Sequence, residues 1–330
     1  MDKLELEGAT VYVGDCIARL KELPANSAQM CVTSPPYYGL RDYGHDGQIG
    51  LEETPDAYIA KMVEVFREAR RVLVDDGTLW LNIGDSYART GGIDRKVSDT
   101  AKVGSTRNTL EQMSDRTSNA AALGLKPKDL IGIPWMLAFA LRADGWYLRQ
   151  DIIWHKPNPM PESVRDRCTK AHEYVFLLSK SERYFYDAEA VKEDAKWERW
   201  GDQSVKKEQQ GTAKWIGNKS KEELQAIGKK NRRSVWTVPT RPYKGAHFAT
   251  FPPALIEPCI LAGSRPGDIV LDPFNGSGTT GQVSIEHGRR YIGCELNPEY
   301  VELTRLRLES VIAARQAAEA PSRQVDLFAA

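Results

Sequence analysis

Short apolar runs alternate with longer amphipathic stretches along most of the chain. The runs predict seven strands, at residues 10–13, 29–32, 78–82, 147–153, 173–178, 268–271 and 290–295. Apolar residues at helical spacing predict helices at residues 17–23, 55–73, 134–143, 279–287 and 298–314. Strands that alternate with helices favour an α/β fold, with a mostly parallel sheet that is covered by helices on both faces.

Two polar stretches interrupt this pattern. Residues 86–128 contain eight Lys or Arg against four Asp or Glu, and residues 202–233 contain nine against four. The whole chain balances 45 basic with 45 acidic residues, so these stretches carry local excesses of +4 and +5. They predict inserted loops. Such loops would bind nucleic-acid phosphates with an affinity that falls with salt, and ordinary solvated loops are the alternative.

Composition narrows the class of protein. The chain has 330 residues, 41% of them hydrophobic, and its apolar runs are too short to cross a bilayer. We expect no signal peptide and no membrane partner. The five cysteines show neither metal-ligand spacing nor a disulfide framework. They indicate a reducing cytoplasm and no metal site.

Two turn motifs each follow directly after an apolar run. Thr-Ser-Pro-Pro-Tyr occupies residues 33–37, and Asp-Pro-Phe-Asn-Gly-Ser-Gly-Thr-Thr occupies residues 272–280. Ligands in open α/β sheets sit at the carboxyl ends of strands. Glycines in such a turn let the backbone approach a ligand closely. We therefore expect the two motifs to be neighbours in one cleft, although Ser-Pro-Pro-Tyr alone could be a stiff loop.

Together these motifs resemble those of the amino-group DNA methyltransferases. The proline motif comes first in the chain, which is similar to the permuted beta class of that family. The resemblance implies a Rossmann-like sheet of seven strands with an antiparallel final strand, and S-adenosylmethionine as the cofactor. It implies catalysis by Ser34, Pro35, Pro36 and Tyr37.

The chemistry of an exocyclic amine explains this residue set. The lone pair of the amine is conjugated to the base, so it is a poor nucleophile. The Ser34 hydroxyl and the Pro35 carbonyl can accept hydrogen bonds from the amine and favour a tetrahedral nitrogen. Tyr37 would stack on the base, which has to be extruded from duplex DNA to reach a pocket. Within the resembled family, Ser in the first position is usual for N4 of cytosine, and N6 of adenine is the alternative.

The resemblance also implies a set of cofactor contacts. Residues 247–252 would close over the methionine part, Glu295 would hold the ribose hydroxyls, and Asp15 would touch the adenine. Glu295 as a solvated strand end and Asp15 as a helix cap are the structural alternatives. The predicted cofactor-binding residues are Asp15, Phe251, Asp272, Phe274, Gly276, Gly278, Thr279 and Glu295.

Predicted DNA contacts lie beside the catalytic motif and in the second basic stretch. Trp154 could stack on the base or fill the core, and Lys156 could contact a phosphate. The full set of predicted DNA-binding residues is Tyr38, Trp154, Lys156, Arg232 and Arg233.

The domain organisation follows from the order of these features. The predicted units are a catalytic half at 1–187 with the basic loop 86–128, a target-recognition insertion at 188–246, a cofactor half at 247–314 and a disordered tail at 315–330. The tail ends in a pentapeptide that resembles the bacterial sliding-clamp motif, with Gln324, Leu327 and Phe328 as its anchors.

The sequence thus favours a bacterial or phage-encoded enzyme that methylates N4 of cytosine in double-stranded DNA. N6-adenine methylation of DNA, and methylation of RNA or of a protein glutamine, are rival activities. A clamp-tethered DNA-binding protein without catalysis is the rival from another class.

Overall fold

The computed structural model describes residues 2–40, 45, 47–88, 124–194, 228–240 and 251–319. Within this part of the chain, nine strands form one sheet. They are Lys3–Leu6 (β1), Ala9–Val13 (β2), Ala28–Thr33 (β3), Leu73–Ile83 (β4), Tyr147–His155 (β5), His172–Ser179 (β6), Val235–Thr237 (β9), Ile269–Asp272 (β10) and Arg290–Glu295 (β11). Glu193–Asp194 (β7) and Lys229–Lys230 (β8) form a separate antiparallel pair.

The sheet order confirms the predicted fold class. The order is β1-β2-β11-β10-β3-β4-β6-β5-β9. Strands β2, β11, β10, β3 and β4 are parallel neighbours, whereas β6 runs antiparallel between β4 and β5. All seven predicted strands are present. The structure adds β1 and β9 at the two edges, where strands of four and three residues carry too short a pattern to predict.

Six helices are described beside this sheet. They are Cys16–Glu22 (α1), Pro55–Val72 (α2), Ile133–Ala143 (α3), Pro253–Gly263 (α4), Thr279–Glu286 (α5) and Pro298–Glu319 (α6). Local chemistry explains where some of them begin. Thr54 accepts a hydrogen bond from the Ala57 amide at the start of α2, and Pro55 occupies the first turn, where no backbone N–H is needed. None of the described helices is long and apolar enough to span a membrane.

Burial on both faces explains the composition of β3. Met30 and Val32 pack in the hydrophobic cluster that contains α4, while Cys31 packs in the cluster that contains α1, α2 and α3. Every residue of this strand is buried. A central parallel strand is covered on both sides, so it reads as a continuous apolar run rather than an alternating one.

The predicted insertion at 188–246 is in part integral to this core. Strand β9 pairs with β5, and Trp236 is buried against Trp80 of β4. Residues 195–227 and 241–250, with Trp197, Trp200, Trp215 and most of the second basic stretch, lie outside the described residues. So does most of the first basic loop.

Candidate active site

The two turn motifs are neighbours at the carboxyl edge of the sheet. Strand β3 pairs with β10, so that Cys31 lies opposite Leu271. Immediately after these residues, the Thr33 hydroxyl donates to Oδ1 of Asp272 over 2.6 Å. The sequence separation of these two residues is 239, so this contact confirms that the two motifs are neighbours in the fold.

Asp272 is the centre of this junction. Its other oxygen accepts from the Thr280 hydroxyl at 2.7 Å, and Oδ1 also accepts from the Phe274 amide at 3.0 Å. The residue is 1% exposed. Burial raises the pKa of Asp272 to about 6, although all three donors oppose that shift. The carboxyl group therefore ties the end of β3 to the start of α5.

Hydrogen bonds from several segments hold the Ser-Pro-Pro-Tyr loop. The Tyr58 hydroxyl donates to the Pro36 carbonyl at 2.8 Å, so the second proline carbonyl is engaged by the protein. The Tyr37 hydroxyl lies 2.8 Å from Oε2 of Glu173 and 3.2 Å from Oδ1 of Asn82. Ser34 is half-buried at the start of this loop.

The environment of Tyr37 keeps its hydroxyl protonated. Burial raises the pKa of Tyr37 well above its ordinary value, and the negative charge of Glu173 raises it further. A hydrogen bond from the Ser34 side chain opposes this shift. At neutral pH the Tyr37 hydroxyl is therefore a donor to the Glu173 carboxylate.

The glycine motif lies beside the Ser-Pro-Pro-Tyr loop, directly after β10. Gly276 and Gly278 have φ of +53° and +78°, in the left-handed region that favours glycine. The Gly276 amide donates to Glu295 Oε2 at 2.7 Å, and the Asn297 amide donates to Oε1 at 2.9 Å. Burial raises the pKa of Glu295 to about 7. Glu295 is thus packed and hydrogen-bonded at the end of β11, and is not a solvated strand end.

Sequence comparison identifies the family. The profile of the N6_N4_Mtase family, described as DNA methylase, matches residues 28–306. The chain belongs to this DNA methylase family. It is 50% identical over 308 residues to the type II methyltransferase M.Cfr9I of Citrobacter freundii, covering 93% of this chain and 90% of the relative. It is 49% identical to the type II methyltransferase M.SmaI of Serratia marcescens, covering 92% and 91%.

Solved structures share the fold of the methylase. The cytosine-N4-specific PvuII DNA methyltransferase superimposes with a TM-score of 0.60 at 19% identity, covering 93% of this chain and 91% of that one. A DNA modification methylase of Thermus thermophilus, TTHA0409, in complex with S-adenosyl-L-methionine, gives 0.55 at 23% identity, covering 92% and 95%. The methylase is an enzyme that depends on S-adenosylmethionine and acts on DNA.

The glycine loop of the methylase fits that cofactor. A Cβ built on Gly276 would meet nothing closer than the Phe274 carbonyl at 3.9 Å, so the backbone there faces open space. The Ser277 hydroxyl is buried and has no hydrogen-bond partner among the described residues. An open backbone face and a spare donor suit the approach of a polar ligand.

The other predicted cofactor residues differ in their burial and in their hydrogen-bond partners. Asp15 is exposed and accepts from the Ala18 amide at 2.9 Å, so it caps α1 as the alternative interpretation had it. Phe251 and Phe274 are partly buried against the two faces of the sheet. The Thr279 hydroxyl accepts from Arg307. Residues 247–250 of the predicted closing segment lie outside the described residues.

Two of the predicted DNA contacts need correction because their side chains are buried, and a third is paired with a carboxylate. Tyr38 is 2% exposed and packs on Tyr58, so its side chain is not available to DNA. Trp154 is 3% exposed, and its indole N–H donates to the Val238 carbonyl at 2.8 Å, so it belongs to the core. The Lys156 ammonium is paired with Glu173. Sequence reasoning missed these partners because they come from distant segments.

The two arginines of the second basic stretch differ in exposure, since Arg232 is half-buried and Arg233 is exposed. Arg232 lies over the Trp236 ring at 4.6 Å. Arg233 has a side chain that is 73% exposed, and it bonds Glu193 at 2.6 Å. An exposed ion pair of this kind contributes about 0.2–1 kcal/mol, so Arg233 can exchange it for a phosphate at little cost.

The structure also reveals polar residues that the sequence analysis did not single out. Asn82 is 3% exposed and bonds Tyr37. Asp85 accepts from the Gly132 and Ile133 amides at the start of α3, next to the first basic loop. Burial raises the pKa of Asp85 above its ordinary value. Asn82 lies among the last residues of β4 and Asp85 lies two residues after that strand, so a polar residue near the carboxyl end of a strand was the available signal for both.

Three further sequence predictions concern a metal site, the end of the last helix and the tail. Within the described part of the chain, no three His, Cys, Asp or Glu side chains come together in a way that could hold a metal ion. Helix α6 continues to Glu319, beyond the predicted end at residue 314. Gln324, Leu327 and Phe328 lie outside the described residues, and the relatives named above lend no support to a sliding-clamp partner.

Proposed function

We propose that the methylase transfers a methyl group to N4 of a cytosine that is swung out of duplex DNA at a specific sequence. One observation supports this above all others. The hydrogen bonds of Thr33 and Thr280 to Asp272 hold the Ser34 loop directly beside the glycine loop. A nucleophile site and a methyl-donor site that share one buried anchor are suited to a direct transfer.

The residues of the catalytic loop then have separate tasks. The Ser34 hydroxyl and the Pro35 carbonyl accept from the cytosine amine, since the Pro36 carbonyl is already bound by Tyr58. This geometry directs the nitrogen lone pair to the methyl group, which S-adenosylmethionine supplies. The nitrogen becomes acidic once it is methylated, so its proton can leave to solvent without a general base.

Ser34 is the reason to favour cytosine over adenine. In the resembled family, Ser-Pro-Pro-Tyr is usual for N4 of cytosine. Both bases present an amino group beside a ring nitrogen, so the loop itself does not exclude adenine. N6-adenine methylation is therefore the second candidate, and the product decides between them.

We propose the remaining cofactor and DNA contacts from the positions of the residues in the fold. Gly276, Gly278, Phe274 and Glu295 would surround the cofactor, and Arg232 and Arg233 would contact DNA phosphates from beside strand β9. The relatives named above come from bacteria, and we propose that this enzyme acts in the bacterial cytoplasm, where it meets the chromosome.

The decisive experiment is mass spectrometry of nucleosides from the DNA of cells that express the protein. We expect 4-methylcytosine with the unaltered protein and none with Ser34→Ala. A product of 6-methyladenine would replace the cytosine proposal with the adenine one. Persistence of the product at full level in Ser34→Ala would refute the role of this loop.

A further inference from the structure

Glu173 is a partly buried carboxylate that joins three segments of the site. It lies near the start of β6, and its side chain is 16% exposed. Oε2 accepts from the Tyr37 hydroxyl at 2.8 Å and lies 3.4 Å from the Asn82 amide nitrogen. Oε1 accepts from the Lys156 ammonium. Both oxygens are therefore engaged with residues from other strands or loops.

The direction of β6 brings Glu173 to this place. Strand β6 is antiparallel to both of its neighbours, so its beginning lies at the edge where β4 and β5 end. Glu173 is opposite Trp154, and the next residue, Tyr174, is opposite Ile83. A parallel strand would have put this carboxylate at the far edge of the sheet.

Lys156 balances the charge of Glu173. Its side chain is 18% exposed, and the ammonium also lies 4.3 Å from the centre of the Trp154 ring. Removing one partner from a buried pair leaves an uncompensated charge, which is costly. The pair with Glu173 therefore accounts for the position of this lysine without a DNA contact.

Tyr37 is fixed at two points by these surroundings. A Cβ built on Gly84 would lie 2.6 Å from Cε2 of the Tyr37 ring, so the ring rests directly on the Gly84 backbone. Glu173 binds the hydroxyl at the other end of the side chain. Two prolines precede Tyr37. Because each proline ring fixes φ, few variable backbone torsions separate Tyr37 from Ser34.

We propose that Glu173 is a positioning residue, which orients Tyr37 and through it the Ser-Pro-Pro-Tyr loop, and that Lys156 serves to neutralise Glu173 rather than to bind DNA. This inference rests on the proposed catalytic role of residues 34–37. Glu173 acts through Tyr37 and not on the substrate.

The test compares kcat and KM of purified variants. The assay measures transfer of tritiated methyl groups from S-adenosylmethionine to unmethylated DNA of high sequence diversity. Glu173→Ala should lower kcat by about tenfold or more, because small misplacements of a reacting group are costly. The KM for S-adenosylmethionine should stay within about twofold. Glu173→Gln should recover part of the loss, because its amide oxygen still accepts from Tyr37.

A double-mutant cycle with Tyr37→Phe tests whether Glu173 affects kcat through the Tyr37 hydroxyl. If Glu173 acts through the Tyr37 hydroxyl, then Glu173→Ala should have little further effect on kcat once that hydroxyl is absent. Glu68→Gln is the matched control, because Glu68 is 20% exposed and pairs with Arg71 on α2, and it should leave kcat unchanged. Circular dichroism and thermal unfolding of each variant show whether it is folded.

Two results would overturn the inference. One is a folded Glu173→Ala protein with unaltered kcat, and the other is an equal loss of kcat in the presence and absence of the Tyr37 hydroxyl. Ser34→Ala in the same assay separates this outcome from a failure of the proposed function. If Ser34→Ala remains fully active, the catalytic loop itself is wrongly assigned.

Discussion

The buried carboxyl group of Asp272 should make the stability of the protein depend on pH in an unusual direction. Asp272 is 1% exposed, and its pKa is raised from 3.8 to about 6 in the folded state. Between pH 6 and pH 4 the folded protein therefore holds a proton that the unfolded chain has released. Lowering the pH through this window stabilises the fold, and raising it removes that contribution.

Asp272→Asn isolates this effect. The amide oxygen can still accept from Thr33 and the Phe274 amide, while the amide nitrogen can donate to a reoriented Thr280 hydroxyl. The asparagine does not titrate. With pKa values of about 6 folded and 3.8 unfolded, the wild type should gain about 1.4 kcal/mol relative to Asp272→Asn between pH 7.5 and pH 5.

Urea unfolding at the two pH values measures this difference. Glu295, whose pKa is also raised, titrates in both proteins. Most of its contribution cancels in the comparison, because burial is the main cause of its raised pKa and the charge of Asp272 is a lesser one. Asp166→Asn is a suitable control, because Lys128 holds the pKa of Asp166 below its ordinary value. Between pH 7.5 and pH 5, the wild type should show no such gain relative to Asp166→Asn. A difference between wild type and Asp272→Asn that is independent of pH, or grows with rising pH, would refute the reasoning.

Three further substitutions test the same cleft. Thr33→Val removes a hydrogen bond to the buried carboxylate and should cost about 1.5–3 kcal/mol of unfolding free energy at pH 8, as measured in urea; an unaltered midpoint would contradict it. Gly84→Ala places a methyl group against Tyr37 and should lower kcat by roughly tenfold or more with an unaltered circular dichroism spectrum, whereas retained kcat would show that the ring can move. At Gly278, φ is +78° and an added Cβ would lie 2.7 Å from Thr304 Cγ2, so Gly278→Ala should distort the loop. Calorimetry should show that the variant binds S-adenosylmethionine roughly tenfold more weakly, and wild-type affinity would argue against this loop as the cofactor site.

Local sequence was sufficient for most elements of the fold and for the two central motifs. Strand β3 is predictable because a fully buried strand is an apolar run, and the Pro-Pro turn after it restricts its own backbone. The positive φ of Gly276 and Gly278 is likewise a property that the residue type itself allows. These features depend only on residues that are adjacent in the chain, so the sequence alone is enough to predict them.

The roles of single side chains around the cleft depended on contacts between distant segments. Trp154 and Lys156 looked like DNA contacts from their position after a strand, but β6 and the segment after β9 supply partners that bury or pair them. Glu173 carried no local signal, because its bond to Tyr37 spans 136 residues. The parallel neighbours of a strand and the direction of β6 are set by packing of the whole sheet.

The sequence by itself thus determined the chemistry that the two motifs can perform and the strands after which they stand. Only the tertiary structure decided that Thr33 and Thr280 share one buried carboxyl group, and that a glutamate from an antiparallel strand accepts a hydrogen bond from the Tyr37 hydroxyl. The physical reason is that side-chain chemistry and backbone restriction are local properties. Burial, hydrogen-bond partners and pKa values belong to the assembled sheet.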